Sequence, residues 1–320
     1  MDLKQYLSAA IEAVQKASLI TAEIQSILIN EDTVIKKDKS PVTIADFAAQ
    51  AIVCKTLKEK FPQIPIVGEE DSGFLRKKEN LTLLQKINEF LPQWQKEEIL
   101  DAIDLGNGEA EELFWTLDPV DGTKGFIRKE QYAVGLALIK SGKPIVGVLG
   151  CPNLKHNNTQ GCLAYASSGG GAFIRSLNDD KTESLKVSSA DKNGAIRFLE
   201  SVESGHSDHN LQERIMKSLS SDPRVVRYDS MVKYCVISRG EADVYLRLPN
   251  PKSPGYVENI WDHAAGVIIA EEAGGKVSDM NGKALDFGQG KKLFNNRGVI
   301  VTNGKFHDEV VRVVNEEMKQ

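Results

Sequence analysis

Two aspartates stand three positions apart around a proline in FWTLDPVDGTKGF, residues 114–126. Asp118 and Asp121 are of like charge and repel, so a cation between them is the simplest reason to keep them together. Asp118 closes the apolar run LFWTL, and Pro119 pushes it towards an extended conformation that ends a strand there. A turn then brings Asp121 back beside Asp118 with the Val120 carbonyl between them. An all-oxygen set of this kind suits a hard divalent cation such as Mg²⁺. Gly122 permits a tight backbone, and Thr123 opens a short helix whose free N–H groups can face an anion. Over DPVD alone, a plain Asp-Pro turn with two surface charges reads equally well.

Three more places hold acids at the ends of elements. Glu69, followed by Glu70, comes directly after the short apolar strand IPIVG, where a solvated turn is the ordinary reading. Asp46 lies three residues after Thr43, as the acidic partner of a capping box would. Asp262, in ENIWDHAAG, is placed as a helix N-cap. Each ordinary reading suffices alone, but a single metal cluster accounts for all of them at once.

Other candidates carry less. His206 and His209 form an HxxH around Asp208, with no cysteine or further histidine nearby to complete a zinc site. Gly169, Gly170 and Gly171 lack the dinucleotide-binding order and a following helix, so they read as a hairpin turn. Lys124 and Arg128 are equally readable as surface charges or as guides for substrate. The cysteines at 54, 151, 162 and 235 form no CxxC and no disulfide framework. They read as small buried apolar residues in a reducing compartment, and a cytoplasmic location is expected.

The elements that must position these residues follow from periodicity. Leu3, Leu7, Ala10, Ile11, Val14 and Ala17 predict an amphipathic helix over residues 2 to about 29. A second helix begins near Thr43 and is closed by Pro62. Residues 71–112 are charged and helical by pattern, a solvated excursion or lid. LFWTL, the YAVGLALIKSGKPIVGVLG hairpin and GCLAYASSGGGAF predict an antiparallel sheet. After about residue 187, strands (AIRFLESV, RVVRY, ADVYLRL, GVIVTN) alternate with helices, the last of them HDEVVRVVNEEM. The expected division is an α+β domain over 1–187 and an α/β domain over 188–320.

Bulk properties set the class. A chain of 320 residues is comfortable for two domains, and 41% hydrophobic with 27% charged residues is ordinary for a globular protein. A net charge of −5 argues against nucleic-acid binding through a basic face. No basic-then-apolar leader is visible, and no run of apolar residues is long enough to span a membrane.

SPVTIADFAAQ, VGEED, WTLDPVDGTKGF and NIWDHAAGVIIAEEAGG, in this order and over nearly the whole chain, resemble the inositol-monophosphatase-like superfamily of metal-dependent phosphatases. DGTKGF, VESGHSDHN and YDSMVKYCVISRGEADVYLRLP resemble its 3′(2′),5′-bisphosphate nucleotidase branch. The resemblance implies a layered αβαβα sandwich with the site between the two domains. It makes Glu69, Asp118 and the Val120 carbonyl ligands of one Mg²⁺, and Asp118, Asp121 and Asp262 ligands of a second. A third, looser ion near Glu69 and Asp46 belongs to the picture in some members. Asp46 and Thr123 would hold and deprotonate the attacking water. Gly122, Thr123, His206, Ser230, Lys233, Arg247 and Asp262 would contact the nucleotide. The branch also implies inhibition by Li⁺, with Na⁺ a second candidate inhibitor, a small bisphosphate nucleotide as substrate, and a monomer or weak homodimer. The rival within the superfamily is an inositol monophosphatase or inositol polyphosphate 1-phosphatase. The Pro-rich loop LPNPKSPGYVEN departs from the branch pattern close to the expected pocket.

Overall fold

A computed structural model describes residues 2–27, 34–35, 41–42, 44–191, 195–202, 209–250, 253 and 255–319. The first helix, Leu3–Ile27, buries a stripe of small residues, Ala9, Ala10, Ala13, Val14 and Ala17, which lets it approach the second helix closely. That helix, Ile44–Lys60, is buried at nearly every position as far as Leu57. A helix apolar all round belongs inside a fold rather than on its surface. Thr43, the expected cap, lies outside the described residues.

Both helices cover one face of a seven-stranded sheet whose spatial order is also its chain order. Its strands are Ile66–Gly68, Leu113–Asp121, Ala133–Lys140, Lys143–His156, Thr159–Ser167, Gly171–Ser176 and Glu183–Ser184. Only Ile66–Gly68 pairs in parallel; the other pairings are antiparallel. The Ser141-Gly142 turn has positive φ at both residues, 49° and 72°, as a two-residue hairpin with right-handed twist demands. Residues 169–171 also make a hairpin turn, and the Glu272 carboxylate accepts the Gly169 and Gly171 N–H groups at 2.8 Å each.

The second sheet is mixed, in the order Arg224–Arg227, Arg197–Glu200, Val244–Arg247, Val299–Thr302, Lys276–Ser278. Between the sheets lie helices Val232–Ser238 and Ala264–Glu272, which share one apolar core with both. Helices His209–Leu219 and His307–Glu317 cover the outer face of the second sheet through Leu211, Ile215, Phe198, Leu246 and Val310. The result is five layers, helix–sheet–helix–sheet–helix. The middle layer is thin because glycines remove side chains from its contacts. A Cβ at Gly147 would stand 2.4 Å from Ile268 Cγ2, and one at Gly266 would stand 2.2 Å from the Tyr234 ring.

Two expectations need correction. Residues 71–112 are not a lid: helices Leu81–Phe90 and Lys96–Asp104 bury Leu84, Ile87, Ile99 and Ile103 against the second helix. Their charged faces look outward, which is why the segment reads as solvated. The strand from Leu113 does not stop at Asp118 but runs on to Asp121.

Candidate active site

That continuation explains the paired aspartates. Asp118 pairs with Gly135 and Asp121 with Ala133, so three steps on one strand face two on its neighbour. Residues three apart in a regular strand point to opposite faces; one extra residue in a bulge returns them to the same face. A bulge also tolerates Pro119, which has no N–H to give the ladder. The Asp118 carboxylate accepts the Val120 N–H at 3.1 Å, which fixes the bulge from inside.

Gly122 follows at φ 87°, and a Cβ there would stand 2.8 Å from Ser230 Cβ. No other residue fits so well a left-handed position pressed against a neighbour. The short helix Thr123–Ile127 then starts, and the Thr123 hydroxyl donates to the Val120 carbonyl at 3.2 Å. Across the gap, Ser230 also sits at positive φ, 63°, and the next residue, Met231, gives its N–H to the Asp121 carboxylate.

These segments wall a crevice of about 300 Å³ between the two sheets' halves of the chain. Glu69, Asp118, Val120, Asp121, Gly122 and Thr123 line it from the first half, and Ser230, Lys233, Arg247 and Asp262 from the second. Asp46 is not in the lining; it is 2% exposed at the head of the second helix, within electrostatic reach of Asp118. His206 lies outside the described residues. Of the remaining sequence candidates, Lys124 reaches the lining, whereas Arg128 pairs with Asp229 at 2.7 Å and with Glu130.

The electrostatics are those of buried acids held together with only partial compensation from nearby cations. Burial, then the charges of Glu69, Asp121, Asp262 and Asp46, push the Asp118 carboxyl well above its usual range. Burial raises Asp121 too, against the opposing pull of Lys233. Asp262 is pushed up to about 7, chiefly by burial, with Asp121 and Glu258 adding to it. Lys233, 4% exposed, is brought down to about 8 by burial, despite the favourable charge of Asp121. No three of Glu69, Asp118, Asp121 and Asp262 form one of the groups whose ligand atoms all lie within 4.8 Å, among the described residues.

Sequence reasoning missed the groups that orient these residues. Gln50, fully buried in the second helix, accepts the Glu70 N–H at 3.0 Å and donates to the Glu70 and Ile103 carbonyls. It thereby fixes the loop that presents Glu69. Glu258 holds Arg247 Nε at 2.9 Å and lies 3.2 Å from His263 Nε2. A carboxylate only accepts, so the His263 proton belongs on Nε2, and a neutral ring takes the Tyr234 hydroxyl at Nδ1, 2.8 Å away. Burial alone would raise Glu258, but the His263 hydrogen bond and the Arg247 charge outweigh it and hold it at about 2. Tyr245 lies 5.2 Å beneath Lys233, and Tyr256 lies 5.9 Å from Arg247. Glu258 lies near the end of the Pro-rich loop and precedes Asp262 by four residues, the one signal that could have marked it.

The sequence pattern of the inositol monophosphatase family matches residues 2–319. A 3′(2′),5′-bisphosphate nucleotidase of Schizosaccharomyces pombe is 43% identical, over 94% of this chain and 92% of its own. One from Dictyostelium discoideum is 40% identical, over 97% and 96%. Among solved structures, an IMPase of Thermotoga maritima superposes with a TM-score of 0.67 at 24% identity, covering 100% of this chain and 99% of its own. CysQ from Bacteroides thetaiotaomicron, a bacterial member of the same family, gives 0.64 at 22%, covering 93% and 97%. At those identities the structures speak for the fold.

Proposed function

The chain belongs to the inositol monophosphatase family, and from that premise we propose that it is a 3′(2′),5′-bisphosphate nucleotidase. It removes the 3′-phosphate of 3′-phosphoadenosine 5′-phosphate to give AMP and phosphate, and acts on the corresponding 5′-phosphosulfate. The observation that carries this reading is the pairing, in one crevice, of an acidic wall with a separate cationic one. A bisphosphate needs both: one place to be cleaved and another to be held.

The acidic wall fits divalent ions. Its donors are all oxygens, which Mg²⁺ prefers, and its carboxyls are driven towards protonation by one another, a penalty a cation relieves. Glu69, Asp118 and the Val120 carbonyl would hold one Mg²⁺; Asp118, Asp121 and Asp262 a second; and Glu69 with Asp46 a looser third. Such ions, when bound, acidify a water and neutralise the phosphoryl group in transfer, much of the 20 kcal/mol or so that monoester hydrolysis requires.

The chain's own residues do the rest. Thr123 spends its proton on the Val120 carbonyl, which leaves its oxygen lone pairs to accept from the attacking water. Asp46, at the head of the second helix, is the proposed final base: as Thr123 accepts the water's proton, its own hydroxyl proton leaves the Val120 carbonyl and passes to Asp46. Lys233 and Arg247 take the phosphate that is not cleaved, and Ser230 and His206 contact the nucleoside. The division of labour follows the chain: 1–187 supplies most cation ligands, and 188–320 supplies the nucleotide contacts and Asp262.

A panel of phosphorylated nucleotides and inositol phosphates, assayed for phosphate release with Mg²⁺, with chelator and with Li⁺, tests the proposal. The bisphosphate nucleotide should lead, chelator should abolish release, and Li⁺ should inhibit. A preference for inositol phosphates would replace this reading with an inositol phosphatase.

A further inference from the structure

Three of the four cysteines, far apart in sequence, meet in the interior. The Sγ atoms of Cys151, Cys162 and Cys235 all lie within 4.8 Å of one another, and each residue is 0% exposed. Cys151 and Cys162 face each other across adjacent strands of the seven-stranded sheet, and Cys235 comes down from helix Val232–Ser238 in the middle layer. Cys54 sits apart in the other core, where burial pushes its thiol up.

Here the thiols touch one another, and the Arg239 guanidinium, anchored to the Lys155 carbonyl at 3.0 Å and paired with Glu241, acts on Cys235. Cys151 and then Cys162 donate S–H to Cys235 and lower its thiol, while the same contacts and then burial raise the Cys151 and Cys162 thiols. Three sulfurs converging in a sealed pocket are what soft metal ions seek.

We propose that Cys151, Cys162 and Cys235 form a closed site for a thiophilic metal ion, with the cuprous ion as its best chemical match. Structural zinc takes four protein ligands, and among the described residues this group supplies three. Each thiol that ligates releases its proton to solvent, and the copper stays Cu⁺ throughout, so no oxidant is required. Cys235 is two residues from Lys233 on the same helix, so the ion would clamp the element that carries Lys233 to the first sheet.

The test uses the whole chain and reads no turnover, so it stands or falls apart from the nucleotidase assignment. Chelator-stripped protein is titrated anaerobically with Cu⁺ alone, both in the native state and during refolding. Sulfur-to-copper ultraviolet absorption and copper retained after desalting are measured. One equivalent retained by the wild type and by Cys54→Ala, but lost in Cys151→Ala and in Cys235→Ala, is expected, together with a higher Tm for the loaded wild type. Circular dichroism shows which variants fold; if neither trio variant does, the wild-type titration alone decides. No retained copper in either wild-type arm, or equal retention by a folded trio variant, overturns the proposal.

Discussion

On one side of the crevice, Glu69 follows one strand of the seven-stranded sheet and Asp118 and Asp121 flank the bulge of its neighbour; on the other, Lys233 and Arg247 come from the middle layer and the second sheet. The first wall is built from backbone devices: a bulge, a left-handed glycine and a hydrogen-bonded loop. The second is built from side chains holding side chains, with Glu258 gripping Arg247 and His263 at once. On the proposed reading, the acidic wall tolerates like charges because cations would fill it, whereas Arg247 in the other wall is already held by Glu258. Substitutions should therefore fail differently on the two walls.

The largest effect belongs to the acidic wall. Asp118→Asn should reduce phosphate release more than about 100-fold for every substrate, beyond what outer partners of a metal site are worth. The same variant should melt higher than the wild type in chelator. A carboxyl whose pKa is raised by folding costs stability once ionised, and the amide removes that cost. A lower Tm would break the comparison, since it would mean that the acid stabilises the fold by itself.

Next comes the cationic wall. Replacing Lys233 and Arg247 together by methionine should cost the bisphosphate about 10- to 100-fold in kcat/KM, the range of one or two charged hydrogen bonds, and a monophosphate much less. Equal losses would remove the case for a second phosphate site. Glu258→Gln should act more mildly, raising KM for the bisphosphate about fivefold with kcat little changed, because the amide keeps an acceptor for Arg247 and loses only part of the ~1.5–3 kcal/mol of a charged hydrogen bond. A fall in kcat instead would place Glu258 closer to the chemistry than to positioning.

The smallest effect is a control in the outer layer, away from both walls. His307 is brought down to about 4, mainly by burial, beside Ser278 at 2.8 Å and Thr302 at 3.0 Å. The unfolded chain protonates this ring near pH 6.5 and the folded chain only near 4. Stability should thus fall as pH drops through that window, and His307→Asn should flatten part of the slope of Tm against pH. An unchanged slope would shift the cause to the carboxylates.

What the sequence disclosed and what it hid divide along the same line. Asp118 and Asp121 were legible because a local motif declares them, although their union on one face depends on a bulge that a turn-based reading missed. Glu69 and Asp262 were legible as acids at element ends, but only the fold could bring them to one crevice. Gln50 and Glu258 were illegible because their roles consist of bonds to partners remote in sequence or set by a Pro-rich loop. The cysteines show the limit most plainly: each alone is a small apolar residue, and nothing in their spacing predicts that three of them touch.

The glycines of the middle layer have a consequence that reaches the chemistry from outside it. Asp262 stands just before helix Ala264–Glu272, and that helix can lie where it does only because position 266 carries a hydrogen in place of a methyl. One added carbon there would work as a wedge, tilting the aspartate off target with every group in the crevice left chemically intact. Inherited or laboratory variation at such a seam would silence the protein while an inspection of its reactive residues found nothing amiss.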